Sequence, residues 1–277
     1  MSAKIVLDSS GDLQIFSGVD FACVPLKIQA GEREFVDDAN MEVDEMVRYL
    51  KSYKGKAVTA CPGVGDYLEA FGDAENVYCV TITSNLSGSY NSAMVAAQTY
   101  LEQHPDRKVH VFDSLSTGPE MALMAEKIRD LLAEKLSFDT IVQKVKTYQE
   151  KTRLMFSLES LHNLVNNGRV SLAAATMAGI LGLRMVGIAS TEGTLQPIAK
   201  VRGEKKLIPE MFRHIHEMGY EGGKVRIDHC DNQNAAMRLK EIILSHFPKA
   251  DIKLGRAGCL CSFYAEQGGL LVGFEVK

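Results

Sequence analysis

The chain has 277 residues, 46% hydrophobic and 24% charged, a composition that can bury a sizeable core in one large domain or two of ordinary size. A net charge of −4 and a pI near 6.0, with no Lys/Arg block longer than a pair, give no electrostatic footprint for nucleic-acid phosphates. The longest apolar tract, residues 172–183, is too short to span a bilayer, no hydrophobic leader follows Met1, and the six cysteines are scattered, so a reduced, cytoplasmic protein without membrane insertion is expected.

Residues 4–7 read as a short buried strand ending in Asp8-Ser9-Ser10-Gly11, and 21–28 as a second strand, followed by a turn at Gly31 and Phe35-Val36-Asp37-Asp38. A helix capped by Asn40 is predicted to run to about Tyr53, with Met46, Val47 and Leu50 inward. Ala57-Val58-Thr59 is strand-like and stops at Cys61-Pro62-Gly63, and a short helix carries Tyr67, Leu68 and Phe71. Residues 77–82 form a strand and 93–101 a helix, joined by a run rich in hydroxyls. Residues 108–112 repeat the pattern, ending in Asp113-Ser114-Leu115-Ser116-Thr117-Gly118 before a long helix with Met121, Met124 and Ile128. A helix at 138–148 closes this half.

After residue 152 the pattern changes. Strand 154–157, short helix 158–166 and the turn Asn167-Gly168-Arg169 lead to a helix of small residues at 171–183. A hairpin of 184–189 and 195–201 turns at Glu192-Gly193. Helices 205–218 and 233–246 are each followed by a strand, at 224–228 and 251–254. Strands at 257–263 and 270–276 are predicted to end the chain, with Cys259 and Cys261 on one strand face. The whole predicts an α/β fold of two α/β domains: 1–152 around a mainly parallel Rossmann-like sheet with flanking helices, and 153–277 around a mixed sheet, with a ligand cleft between them.

Four strands are predicted to end in hydroxyl-bearing turns, at Asp8-Ser9-Ser10, Thr59, Thr83-Ser84 and Asp113-Ser114. Right-handed crossovers would put all four on one rim, where open α/β sheets bind ligands. The loop Ser84-Asn85-Leu86-Ser87-Gly88-Ser89 leads this set. It opens a helix whose free N–H groups favour an anion, and its hydroxyls add donors without charge. Helix capping by Ser87 or Ser89 is the ordinary use of such serines. No G-x-S-x-G elbow, P-loop or G-x-G-x-x-G accompanies them. Of the seven histidines only His229 is expected near a rim, in a structural role, and Asp8, Asp37 and Asp113 lack a metal-ligand spacing. The small-residue helix, opened by Arg169 and carrying Met177 and Leu181, suits either close packing or the wall of an apolar groove. Hydroxyl rim, arginine and groove together fit an amphiphile with an acidic head.

On these residues the chain resembles the DegV family, bacterial fatty-acid-binding proteins that serve fatty acid kinase. The resemblance covers nearly the whole length, through Ile5-Val6-Leu7-Asp8-Ser9-Ser10, Val24-Pro25-Leu26, Phe35-Val36-Asp37, Thr59-x-x-Pro62, Ser84-Asn85-Leu86-Ser87-Gly88-Ser89-Tyr90, Val111-Phe112-Asp113-Ser114, Leu158-x-x-Leu161-x-x-Leu164, Gly168-Arg169-Val170-Ser171 and Lys200-Val201-Arg202. It implies a long-chain fatty acid buried between two α/β domains, its carboxylate held by Thr and Ser loops and presented to a separate kinase for acyl-phosphate formation. No catalytic residue, metal or cofactor is implied, and a monomer is expected. Head-group roles fall on Thr59, Ser84 and Ser87, with Asn85 and Gly88 in the same loop, while Arg169, Arg202 and Asp37 are implied near the head group or the kinase-facing surface. Two departures stand out. Ala60 and Gly63 replace serines usual in the family, and Phe263-Tyr264-Ala265-Glu266-Gln267-Gly268 stands where a histidine precedes Gly-Pro-Gly. Tyr264 retains a hydrogen-bond donor but carries no proton charge near neutral pH. The alternative is a hydrolase or phosphotransfer enzyme using Ser84 or Ser87; the acidic pI opposes a DNA-binding regulator.

Overall fold

The computed structural model describes residues 2–170 and 183–277; the rest of the expected small-residue helix, including Met177 and Leu181, lies outside them. A four-stranded parallel sheet is built from β1 (Ala3–Asp8), β2 (Asp20–Val24), β6 (Asn76–Thr81) and β7 (Lys108–Asp113), in the order β2-β1-β6-β7. Ile5, Val6 and Leu7 are all fully buried because helices cover both faces, as a parallel sheet requires. Ile5 and Leu7 meet α4 (Pro119–Ala133) and α5 (Phe138–Gln149), whereas Val6 meets α2 (Val64–Phe71) and α3 (Ser89–Gln103).

The second half is a six-stranded mixed sheet. Its order is β10-β9-β8-β13-β11-β12, formed by β8 (Thr152–Leu158), β9 (Leu183–Ala189), β10 (Leu195–Arg202), β11 (Lys224–His229), β12 (Asp251–Arg256) and β13 (Leu270–Glu275). Only the β11/β12 pair is parallel. One face, with Met155, Val186, Val225 and Val272, packs on α7 (Glu204–Glu217) and α8 (Gln233–His246). The other face looks toward the first sheet across α4, whose opposite flank carries Met121, Met124 and Ile128 into the first core. Gly273 permits this contact: a Cβ there would come within 2.6 Å of the Pro119 and Glu120 backbone. α4 is therefore a shared filler between the sheets. No helix among the described residues is long and apolar enough to cross a membrane.

Four local expectations need correction. Residues 21–28 are not one strand: after Val24 the chain leaves the parallel sheet at Pro25, and the Leu26 N–H is taken by Ser9 Oγ at 3.0 Å. A separate antiparallel sheet then forms from β3 (Lys27–Ala30), β4 (Arg33–Val36) and β5 (Ala57–Ala60), in the order β4-β3-β5, turning at Gly31 with φ +64°. Thr59 thus belongs to this small sheet, and three rather than four of the hydroxyl turns end parallel strands. Asn40 caps nothing; α1 (Val43–Ser52) begins beyond it, and the Asn40 N–H donates to Asp38.

The fourth correction concerns the end of the chain. Residues 259–265 form helix α9 (Cys259–Ala265) instead of a strand. Its first N–H groups are claimed from far away: Gly258 donates to Asp12 Oδ1 at 2.9 Å, Cys259 to Asp37 Oδ1 at 2.9 Å and Leu260 to Asp37 Oδ2 at 3.1 Å. These carboxylates satisfy the free donors of a helix start and so select helix over strand. Cys259 and Cys261 consequently enter different cores, Cys259 with Ile28 and Phe35, Cys261 with Leu154 and Leu271.

Candidate functional site

Beyond the N-terminal end of α4 the described residues leave a cavity of about 300 Å³ between the two sheets. Strand periodicity builds one wall: Leu154, Phe156 and Leu158 alternate with Met155 and Ser157, so three large apolar side chains of β8 point inward, beside Leu271 of β13. Leu26 and Ile82 of the first half, with Leu260 of α9, which packs in the same core, face them. Among the described residues the hydroxyl and charged lining consists of Thr59, Ser87, Thr117, Arg169 and Tyr264.

Two of those polar groups are in direct contact, and the others are held by neighbouring backbone and side chains. Thr59 Oγ1 and Tyr264 Oη lie 2.6 Å apart, brought together by β5 and α9 from positions separated by 205 residues. Burial raises the Tyr264 phenol above its ordinary range, and the Thr59 hydrogen bond and the Arg169 charge oppose that rise. The phenol stays neutral, a donor at physiological pH. Arg169 follows Gly168, at φ +71°, and its Nε donates to the Leu86 carbonyl at 3.1 Å, so the second half grips the loop that carries Ser87. Ser87 Oγ accepts the Ser89 N–H at 3.2 Å and lies 3.0 Å from Ser89 Oγ. A Cβ on Gly88 would come 3.0 Å from Cys61 Sγ, so glycine lets this loop close on the one that follows Thr59.

Thr59, Ser87, Gly88, Arg169 and Tyr264 therefore line one cavity. Ser84 and Asn85 do not. Both are exposed and serve the loop's architecture: the Ser84 N–H donates to Asp113 Oδ1 at 3.1 Å, and Asn85 Nδ2 to the Glu192 carbonyl at 2.5 Å on the β9–β10 turn. Asp37, expected near the head group or on a kinase-facing surface, is instead 2% exposed and spent on the α9 N-terminus. Its carboxyl is raised by burial, against the opposing Leu260 and Cys259 N–H bonds. Arg202 is exposed at the end of β10 and does not line the cavity. His229, half-buried, accepts the Asn232 N–H, and burial lowers its pKa.

Sequence reasoning missed three features. Thr117 lines the cavity from the turn before α4, donating to the Ser10 carbonyl at 3.3 Å; its place in the same hydroxyl turn as Asp113 was the available signal. Asp12 and Asp228, both half-buried, lie close together near the start of α9. Asp12 is pushed well up by burial and by the Asp228 and Asp37 charges, and its Oδ2 has no hydrogen-bond partner. Burial pushes Asp228 up to about 7. No group of three or more His, Cys, Asp or Glu side chains suited to a metal ion occurs among the described residues. Nor do the described lining residues include a histidine, lysine or carboxylate to serve Ser87 as a base.

A model of the DegV family, described as uncharacterised protein, matches residues 2–277. The DegV domain-containing protein spr0652 of Streptococcus pneumoniae is 44% identical over 280 residues, covering 100% of both chains. Among solved structures, the Streptococcus pneumoniae Fatty Acid Kinase (Fak) B3 protein loaded with linoleic acid is similar with a TM-score of 0.98 at 44% identity, over 100% of each chain. A DegV family protein from Eubacterium eligens loaded with heptadecanoic acid gives a TM-score of 0.97 at 43% identity, again over 100% of each chain.

Proposed function

The chain belongs to the DegV family, and from that premise we propose that it binds a long-chain fatty acid between its sheets, carboxylate at the hydroxyl end and tail among the leucines. One observation carries the reading: an apolar cavity lined by Thr59, Tyr264, Ser87 and Arg169, in which Thr59 Oγ1 lies 2.6 Å from Tyr264 Oη and Arg169 Nε donates to the Leu86 carbonyl beside Ser87. A carboxylate taken from water without partners is prohibitive, and hydrogen bonds to a charged acceptor return about 1.5–3 kcal/mol each. Each buried methylene adds about 0.8 kcal/mol, so the tail supplies most of the affinity and the head group its direction. Fatty-acid-loaded neighbours of closely similar fold support this choice of ligand.

The protein performs no chemistry on the ligand in this reading. Ala60, Cys61 and Gly88 are exposed at the cavity's edge, beside the head-group hydroxyls, and leave the carboxylate open to a partner. That partner is a fatty acid kinase making the acyl phosphate, a role supported by the name of the pneumococcal neighbour. The test is organic extraction of the purified protein with mass spectrometry of the extract. One fatty acid per chain, lost in the Thr59→Val/Ser87→Ala double variant, is the expected result. An empty cavity together with ester turnover abolished by Ser84→Ala or Ser87→Ala would give the site to the hydrolase alternative instead.

A further inference from the structure

The inward residues of β8 have a direction. Leu158, Phe156 and Leu154 follow at two-residue spacing and so step roughly 13 Å along the wall. Leu158 ends the strand and leads through α6 (His162–Asn166) to Arg169, at the polar end; Leu154 lies at the other. Past Leu154 a second hollow opens, of about 720 Å³, lined by Thr152 and Arg153 of β8, Ile188 of β9, Gln196 of β10 and Lys146 of α5. Among the described residues Leu154 alone lines both hollows, and it is 2% exposed. Phe156 does not share the partition. Its ring lies over Gly187, its register partner on β9, so closely that a Cβ at 187 would overlap it.

We propose that Leu154 is the stop that sets the length of tail this protein accepts, the terminal methyl group ending against it. The proposal rests on the fatty-acid reading above. A leucine between an apolar cavity and a cleft carrying Lys146 and Arg153 keeps the tail end dry, and removing it joins the two spaces. A longer tail then gains burial that the native protein denies it.

The test is displacement of a fluorescent fatty acid from the full-length protein by a series of saturated fatty acids of increasing length. In the native protein affinity rises with length to an optimum and then falls. Leu154→Ala moves the optimum to longer chains by about two methylenes, improving affinity for acids beyond the native optimum by roughly tenfold relative to shorter ones. Leu154→Phe moves it to shorter chains, and circular dichroism establishes that each variant is folded. An unchanged length profile in folded Leu154→Ala, or in Leu154→Phe if the alanine variant does not fold, overturns the stop and leaves fatty-acid binding standing. A native protein that binds no fatty acid of any length overturns the underlying reading instead.

Discussion

Gly273 and Leu271 face the same way on β13, two residues apart, and meet opposite surroundings. Over Gly273 the start of α4 presses so close that only a glycine fits. Further along α4, Arg226, 5% exposed, makes a two-pronged bond to Glu126, Nε to Oε1 at 2.9 Å and Nη2 to Oε2 at 2.6 Å. Near the same end Glu120, also buried, accepts from Ser116 Oγ at 2.5 Å and Thr152 Oγ1 at 2.8 Å. Leu271, by contrast, looks into the cavity. One gap between two sheets is thus sealed by satisfied charges and close backbone on one side and left hollow and apolar on the other. A hollow of about 300 Å³ leaves the side chains that line it without packing partners on one side. Walls this apolar are poor hosts for water. The hollow makes energetic sense when an apolar tail fills it.

The largest expected effect breaks the sealed side. Glu126→Ala strands Arg226 with only Asp251 as a charged partner and should destabilise the protein by about 3 kcal/mol in urea unfolding, with fatty-acid affinity unchanged in the folded fraction. Next comes the hollow side. Protein stripped of lipid should regain about 2.7 kcal/mol of stability on adding free fatty acid at a hundredfold excess over its Kd, read as a rise in Tm. No gain at that excess would mean that the folded protein does not bind fatty acid in preference to the unfolded chain, and the hollow would have no lipid to fill it.

Tyr264→Phe removes one donor while keeping the ring, and should weaken fatty-acid binding by about tenfold, the equivalent of about 1.4 kcal/mol. Because the phenol stays neutral, native affinity should show no histidine-like step between pH 6 and pH 7, where an imidazole would titrate. A step in that range that survives in the phenylalanine variant would assign the head-group charge balance to another residue.

The smallest effect belongs to the acids near the start of α9. A carboxyl whose folded pKa is raised binds its proton more tightly folded than unfolded. Its contribution is therefore complete below the unfolded value of 3.8 and is lost as pH rises through the folded value, about 7 for Asp228 and about 6 for Asp8. Stability should fall by about 1 kcal/mol between pH 6 and pH 8, and Asp228→Asn, whose amide stands in for the protonated acid, should flatten that slope. Glu126 and Asp251, lowered by their Arg226 hydrogen bonds against the opposing effect of burial, act only at much lower pH, where protonation removes their support.

The sealed core was the more legible of the two regions. β1, β6 and β7 are apolar runs bounded by turn residues, and α4 and α5 follow with helical spacing, so local pattern and tertiary role agree. α9 was not legible, because Cys259 to Ala265 is a seven-residue apolar run that suits strand or helix equally, and the deciding carboxylates lie 222 or more positions away. The same distance hid the meaning of Asp37: its neighbourhood in sequence suggests a surface turn, and only the fold spends it on a helix start. Thr59, Ser87 and Arg169 were legible as residue types in turns, and the convergence of the hydroxyls was expected from one rim of a parallel sheet, whereas Thr59 reaches the cavity from the small antiparallel sheet instead. The Leu154-Phe156 wall left no mark, since Leu154, Met155 and Phe156 are consecutive apolar residues that read as any strand buried on both faces.

The most direct measurement is a crystal structure of this protein with an eighteen-carbon fatty acid. The carboxylate should lie within hydrogen-bond distance of Thr59 Oγ1, Tyr264 Oη or Ser87 Oγ, with the tail running past Phe156 to end against Leu154. A carboxylate found among Lys146 and Arg153 in the outer hollow, with the tail reversed or outside the cavity, would contradict that placement.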